Sequence, residues 1–312
     1  MTEILDASGL PPDVTGTVVT VGTFDGVHRG HLDVLGRIRG RASALGLRSL
    51  LVTFDPHPLE IVNPSAAPRL LTAGQEKLEV LAESGIDFVA IVPFTEALAS
   101  YSAEQFVDLI LSKRYRMKEL MIGYDHGFGQ HRAGNVEVLK ELGRRDGFGV
   151  EVIGPVSSPA GQPVSSTSIR RSIAGGDLAR AAVGLGRLYS VQGLVVRGAG
   201  RGKGLGFATV NLGEISPRKL LPPEGVYSVR VQTPAGAFGG MMNLGPRPTF
   251  GDAKTTLEAH LFDASGDFYD AWVRVDFVKF LRATRKFASP EDLSAQLCKD
   301  EERARFSLTR TA

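Results

Sequence analysis

A chain of 312 residues is long for one average domain and comfortable for two. Hydrophobic residues at 43% and charged residues at 22% are ordinary for a globular protein able to bury a core. Lys+Arg (36) nearly balance Asp+Glu (34), and no basic-aromatic stripe occurs, which argues against a nucleic-acid binder. The single cysteine, Cys298, excludes an internal disulfide and fits a reducing compartment. The start, Met1-Thr2-Glu3-Ile4-Leu5-Asp6, lacks the basic and apolar stretches of a signal peptide. No apolar run approaches the ~18 residues that span a bilayer. The expectation is a soluble cytoplasmic protein with neither membrane nor nucleic acid as partner; a homo-oligomer is compatible with the sequence.

Strand and helix signals alternate through the first half. Residues 18–22 form a short β-branched run, and residues 31–45 carry Leu32, Leu35, Ile38 and Ala42 at helical spacing. Residues 49–54 read as a second strand. Thr72 and Gln75 make a capping-box pattern for a helix that Gly85 can close. Residues 88–94 read as a third strand, and Ser102 with Gln105 repeats the capping box before Phe106, Leu109 and Ile110. A strand at 120–124, a helix at 136–142 and a strand at 150–156 follow. Such alternation implies a Rossmann-like parallel sheet covered by helices on both faces.

Near Gly184-Leu185-Gly186 the pattern changes, which places the expected boundary between domains 1–186 and 187–312. Beyond it, residues 189–196, 225–232, 239–243, 256–262 and 272–279 read as strands separated by Gly and Pro. Consecutive short strands suggest a small antiparallel barrel. Ser289 caps a last helix, 290–305, with Leu293 and Leu297 on one face. The fold class expected is α/β plus all-β.

Gly22-Thr23-Phe24-Asp25-Gly26-Val27-His28-Arg29-Gly30-His31 joins the first strand to the first helix. Ligands of open parallel sheets bind at the carboxyl ends of strands, and helix N-termini there offer N–H groups to phosphates. His28 and His31 are spaced to converge on one ligand and could stabilise charge building on phosphate oxygens. A plain surface loop or a zinc site is the alternative reading of this pair. Thr53-Phe54-Asp55-Pro56-His57-Pro58 ends the second strand in the same way, where Asp55 and His57 would face one crevice or the prolines merely stiffen a turn. Ser165-Ser166-Thr167-Ser168-Ile169-Arg170 puts hydroxyls and a guanidinium at a helix start, a phosphate-binding recipe or an ordinary N-cap.

The densest glycine run is Gly198-Ala199-Gly200-Arg201-Gly202-Lys203-Gly204-Leu205-Gly206-Phe207-Ala208-Thr209-Val210-Asn211. Arg197 stands where a Walker loop would begin with glycine, so this is no P-loop. The run could wrap phosphates through backbone N–H groups or serve as a flexible hairpin. Thr209 and Asn211 alternate and share one side of an extended segment. Neutral oxygens of this kind suit Mg²⁺ when a nucleotide supplies the charge. Glu258, in the alternating Leu257-Glu258-Ala259-His260-Leu261, faces away from its apolar neighbours; the bland reading is a solvated strand glutamate.

Together the histidine loop, Thr-Phe-Asp-Pro-His-Pro and Ser-Ser-Thr-x-Ile-Arg resemble the nucleotidyl transferase superfamily, and its flavin branch in particular. Gly-Arg-Gly-Lys-x-Leu-Gly-Phe-x-Thr-x-Asn, 221–227, 243–250 and Glu258-Ala259-His260-Leu261 resemble the riboflavin kinase module. In order along the chain, these motifs are similar to the bacterial bifunctional riboflavin kinase/FAD synthetase (FMN adenylyltransferase) family. That resemblance implies two ATP-dependent activities, riboflavin to FMN in the C-terminal domain and FMN to FAD, with release of pyrophosphate, in the N-terminal one. Riboflavin, FMN and ATP would be its small-molecule partners. It implies that His28, His31, Ser166, Thr167 and Arg170 handle ATP phosphates, with Gly22, Phe24, Asp25 and Gly30 in the same binding loop. Asp55, Pro56 and Pro58 would border the flavin, and Asp125 would read adenine or ribose. Gly200, Gly202, Lys203 and Gly206 would bind ATP in the kinase half. There Thr209 and Asn211 would hold Mg-ATP, and Glu258 would act as general base on the ribityl hydroxyl. His126 and Gly127 depart from the family pattern after Asp125, and Ala208 replaces its usual proline. Other hypotheses are a chain keeping one activity, a flavin-binding module without turnover, and a nucleotidyl transferase for another substrate such as phosphopantetheine.

Overall fold

The computed structural model describes residues 2–5, 9–123, 129, 134–154, 164–198, 207, 209–247 and 252–309, with the backbone alone at 246–247 and 252–255. Two compact units divide the chain, Met1–Ser165 and Ser166–Ala312.

The first unit runs β1 (Glu3–Leu5), β2 (Thr17–Val21), α1 (Arg29–Leu45), β3 (Arg48–Asp55), α2 (Pro58–Val62), α3 (Gln75–Ala82), β4 (Phe88–Pro93), α4 (Glu96–Ala99), α5 (Ala103–Gln105), β5 (Met117–Gly123), α6 (Val136–Asp146) and β6 (Gly149–Ile153). A wide π-helical stretch, Phe106–Arg114, continues α5. The six strands form one parallel sheet in the order β1-β4-β3-β2-β5-β6. Every residue of β2 is buried, because both sheet faces are covered. Val19, Val21, Leu50, Val52, Leu120 and Ile122 pack with Phe106, Leu111, Leu139 and Leu142. Val18 and Met121 pack with Ile38 and Ala42 of α1, and Leu51 and Val89 pack with Leu35 of α1 and Val80 and Leu81 of α3. Each large apolar side chain so buried contributes about 1.5–3 kcal/mol. The stripe Leu35, Ile38 and Ala42 thus fixes α1 on the sheet and its N-terminus beyond the end of β2.

One local expectation needs correction. Thr72 does not cap α3: Gly74 is its N-cap, at φ +54, and the Thr72 hydroxyl accepts from the Gly26 N–H at 3.0 Å. Tertiary contact outbids the local capping box here. By contrast, Ser102 and Gln105 make both halves of theirs. Strand β1 carried no sequence signal, since three residues are too few for a period.

In the second unit, α7 (Ser166–Ala174) and α8 (Leu178–Leu185) precede β7 (Tyr189–Val196), β8 (Thr209–Gly213), β9 (Gly225–Thr233), β10 (Gly236–Arg247), β11 (Asp252–Leu261), β12 (Trp272–Arg282) and α9 (Pro290–Thr309). The six strands close into a barrel in the order β10-β11-β8-β7-β12-β9, with antiparallel neighbours. Alternate residues such as Val191, Val195, Tyr227, Val229, Met242, Ala259, Val275 and Phe277 fill it and are almost fully buried. Ser289 caps α9 through the Asp292 N–H, and Ala304 packs with Phe207, Met241 and Phe262 outside the barrel. Arg282 of β12 pairs with the fully buried Asp300 of α9 at 2.7 Å.

Candidate active sites

Strand order reverses at β2: β3 and β4 lie to one side, β5 and β6 to the other. The carboxyl end of β2 is therefore a switch point, where parallel sheets open a crevice for ligands. The loop 22–28 leaves from it. His28 is the N-cap of α1 and buried, and its Nδ1 accepts from the His31 N–H at 3.3 Å. In the neutral ring that acceptor role puts the proton on Nε2, which then serves as a donor. The His28 and His31 rings stack with centroids 3.6 Å apart and planes 15° apart. On its other side, His31 meets the Phe24 ring at 4.5 Å. Gly30 makes room for this pair, since a Cβ there would lie 3.1 Å from two atoms of the His28 ring.

The loop adopts costly backbone. Phe24 and Val27 have φ of +46° and +38°, which bulky and β-branched residues rarely accept. Gly26, at φ +82°, presses against Leu71 where a Cβ would come within 2.6 Å. Asp25 holds this shape. It was expected in the binding loop as a ligand contact, but its carboxylate turns inward, 3% exposed, and accepts from the backbone N–H groups of Leu71 and Thr72 at 2.9–3.1 Å. The carboxylate thereby anchors the loop that carries the two histidines.

Asp55 ends β3, is exposed, and precedes a cis peptide to Pro56. His57 caps α2, its Nδ1 accepting from the Leu59 N–H at 3.1 Å with Pro58 in the first turn. Ser166 and Thr167 open α7 and Arg170 lies one turn on; Ser166 and Arg170 are half-buried and Thr167 is exposed. Asp125, His126 and Gly127 lie outside the described residues. So do Gly200, Gly202, Lys203, Gly206 and Ala208.

The second candidate site lies on the outer face of β8 and β11. Asn211 pairs across the ladder with Glu258, and Thr209 with His260, so all four side chains share one face. Val210, Leu212, Leu257 and Ala259 take the other face and point into the barrel. The Thr209 hydroxyl donates to Glu258 Oε1 at 2.5 Å. His260 sits edge-on between Phe207, at 5.1 Å, and Phe262, at 5.8 Å. Gly198 lies against Asn211: a Cβ there would fall 2.0 Å from the amide nitrogen. Sequence reasoning missed Gly198 as a site residue because one glycine in a rich run carries no separate signal. It also missed Thr53, Thr72 and Lys77, whose roles depend on contacts distant in sequence.

A family model described as FAD synthetase matches residues 10–168, and one described as riboflavin kinase matches residues 185–308. A bifunctional riboflavin kinase/FMN adenylyltransferase of Pseudomonas fluorescens is 39% identical over 297 residues, 95% of this chain and 94% of that protein. One of Escherichia coli K12 is 36% identical over 303 residues, 95% of each. A crystal structure described as a macrolide-efflux protein from Streptococcus pneumoniae superposes with a TM-score of 0.84 at 28% identity, covering 97% of this chain and 98% of that one. Among the described residues here, no helix is long and apolar enough to cross a membrane. The chain belongs to the bifunctional riboflavin kinase/FMN adenylyltransferase family: a transferase with a FAD synthetase region followed by a riboflavin kinase region.

Proposed function

We propose that FMN is adenylylated at the loop that opens α1, and that riboflavin is phosphorylated on the outer face of β8 and β11. The close approach of Glu258, Thr209 and Asn211 is the observation that carries this reading. In this reading residues 1–186 form the adenylyl-transfer half and 187–312 the kinase half.

In the first reaction, an FMN phosphate oxygen attacks the α-phosphorus of ATP. The new P–O bond forms as the bond to the β-phosphate bridge breaks, and pyrophosphate leaves. The phosphate nucleophile is already an anion, so no general base is required. What the protein supplies is alignment of two repelling anions and donors for the growing charge. His28 and His31 are those donors, with Ser166, Thr167 and Arg170 on the phosphates. Asp55, Pro56 and Pro58 border the flavin, and Asp125 reads adenine or ribose.

The second reaction needs a base, because its nucleophile is the ribityl 5′-hydroxyl. Glu258 takes that proton as the oxygen attacks the γ-phosphorus, and ADP leaves. Among the described residues no group of three His, Cys, Asp or Glu gathers to bind a metal alone. Thr209 and Asn211 offer neutral hard oxygens, which fit Mg²⁺ when the nucleotide provides most of the negative charge. Bound there, the ion would neutralise phosphate oxygens. The glycines Gly200, Gly202 and Gly206, with Lys203, wrap the nucleotide. A cytoplasmic setting supplies the ATP for both steps and suits the single Cys298.

The test is one incubation of purified protein with riboflavin, ATP and Mg²⁺, followed by chromatography of the flavins. FMN and FAD together are expected. FMN alone would remove the adenylyl-transfer assignment, and neither product would remove both.

A further inference from the structure

Lys77 stands where its own helix welcomes a cation least. It falls in the first turn of α3, at the positive end of the helix dipole. The side chain is half-buried. Its ammonium donates to the Thr23 carbonyl at 2.7 Å and to the Thr53 hydroxyl at 2.8 Å. That hydroxyl donates in turn to the same carbonyl at 3.1 Å. Thr23 begins the loop that ends in His28. Thr53 is fully buried, two residues before Asp55. One ammonium thus clamps the carboxyl ends of neighbouring strands β2 and β3, where both proposed substrate-binding loops begin.

The clamp acts on backbone that needs holding. Thr23 directly precedes Phe24, which is left-handed at φ +46° and whose ring lies 4.5 Å from His31. Asp25 and Thr72 secure the middle of the loop; Lys77 secures its start. We propose that Lys77 is a positioning residue for adenylyl transfer: by fixing the Thr23 carbonyl against Thr53, it sets the Phe24–His31 contact and so the aim of the two histidines. The inference rests on the assignment of His28 and His31 made above. Methionine matches the length of lysine without its donors, while arginine keeps charge and several donors. A brace with only a structural role would change stability and leave turnover by folded molecules alone.

The full-length variants Lys77→Met, Lys77→Arg and Thr53→Val test this, with His28→Ala as reference. FAD formation from FMN and ATP is measured beside FMN formation from riboflavin on the same preparations, and Tm is recorded for each. Lys77→Met is expected to lower kcat for FAD formation by about tenfold or more, with KM for ATP within about threefold. Lys77→Arg should recover most of that loss, Thr53→Val should fall between, and FMN formation should stay at the wild-type rate. Three results overturn the proposal: kcat of Lys77→Met within about twofold of wild type, a change in KM alone, or a loss that tracks Tm across the variants. If Lys77→Met does not fold, Thr53→Val decides, and unchanged kcat there overturns it equally. Wild-type FAD formation in His28→Ala would remove the histidine assignment and this proposal with it. Loss of FAD formation in His28→Ala, with none in Lys77→Met, would remove this proposal alone.

Discussion

Glu258 accepts a 2.5 Å hydrogen bond from Thr209 and faces Asn211 across the ladder. A carboxylate so placed can take a proton beside the proposed nucleotide-binding residues Thr209 and Asn211. Glu258→Gln keeps the shape and removes the basicity. It should lower FMN formation by roughly a hundred- to ten-thousandfold and leave FMN-to-FAD conversion intact, as separate assays of the two steps would show. Gly198 tests the same face by volume. Alanine there must displace the Asn211 amide, and misplacement on the ångström scale costs up to about a hundredfold in rate. FMN formation by Gly198→Ala is expected to fall by at least about tenfold, with FAD formation from supplied FMN unaffected. In the other half, replacing both His28 and His31 by alanine removes two donors. FAD formation should drop by at least about a hundredfold while FMN still accumulates.

At the scale of elements, the loop between β2 and α1 is held from outside itself. Asp25→Ala would strip the acceptor from the buried N–H groups of Leu71 and Thr72, at about 1–3 kcal/mol for each group left unpaired. A lower Tm of the first unit together with lost FAD formation is expected; an unchanged Tm would show that the anchor contributes nothing. The barrel offers a pH test. Tyr227 lies inside it, donating its hydroxyl to the Pro223 carbonyl, and burial pushes its phenol from 10.0 up to about 12. The unfolded phenol ionises first as pH rises. The stabilising contribution is therefore whole below pH 10.0 and is lost as pH climbs through about 12. Urea midpoints measured across that window should fall for the wild type, and this part of the fall should vanish in Tyr227→Phe.

For the molecule as a whole, the two compact units each carry their own core. The proposed donors His28 and His31 stand on the first unit, and Glu258, Thr209 and Asn211 of the proposed kinase site stand on the second. FMN released by one molecule can then be used by another. A mixture of Glu258→Gln protein with His28→Ala/His31→Ala protein should convert riboflavin to FAD, with FMN appearing first in a time course. Failure of the mixture, with each variant active in its remaining step, would mean that FMN does not pass through solvent.

The amino-acid pattern was enough for the fold class, because strand and helix periods are local and recur many times along the chain. The parallel sheet, the antiparallel barrel and the capped terminal helix were legible for that reason. So was the alternation that puts Thr209, Asn211 and Glu258 on outward faces, since period two needs no partner to be read. Tertiary structure alone decided the rest. It turned Asp25 inward, moved Thr72 from a helix cap to the Gly26 N–H, and brought Lys77 to Thr23 and Thr53. These bonds join groups 24 to 54 positions apart in the chain. No local propensity encodes such a meeting; it exists only once α1 and α3 have buried their apolar stripes against the same face of the sheet.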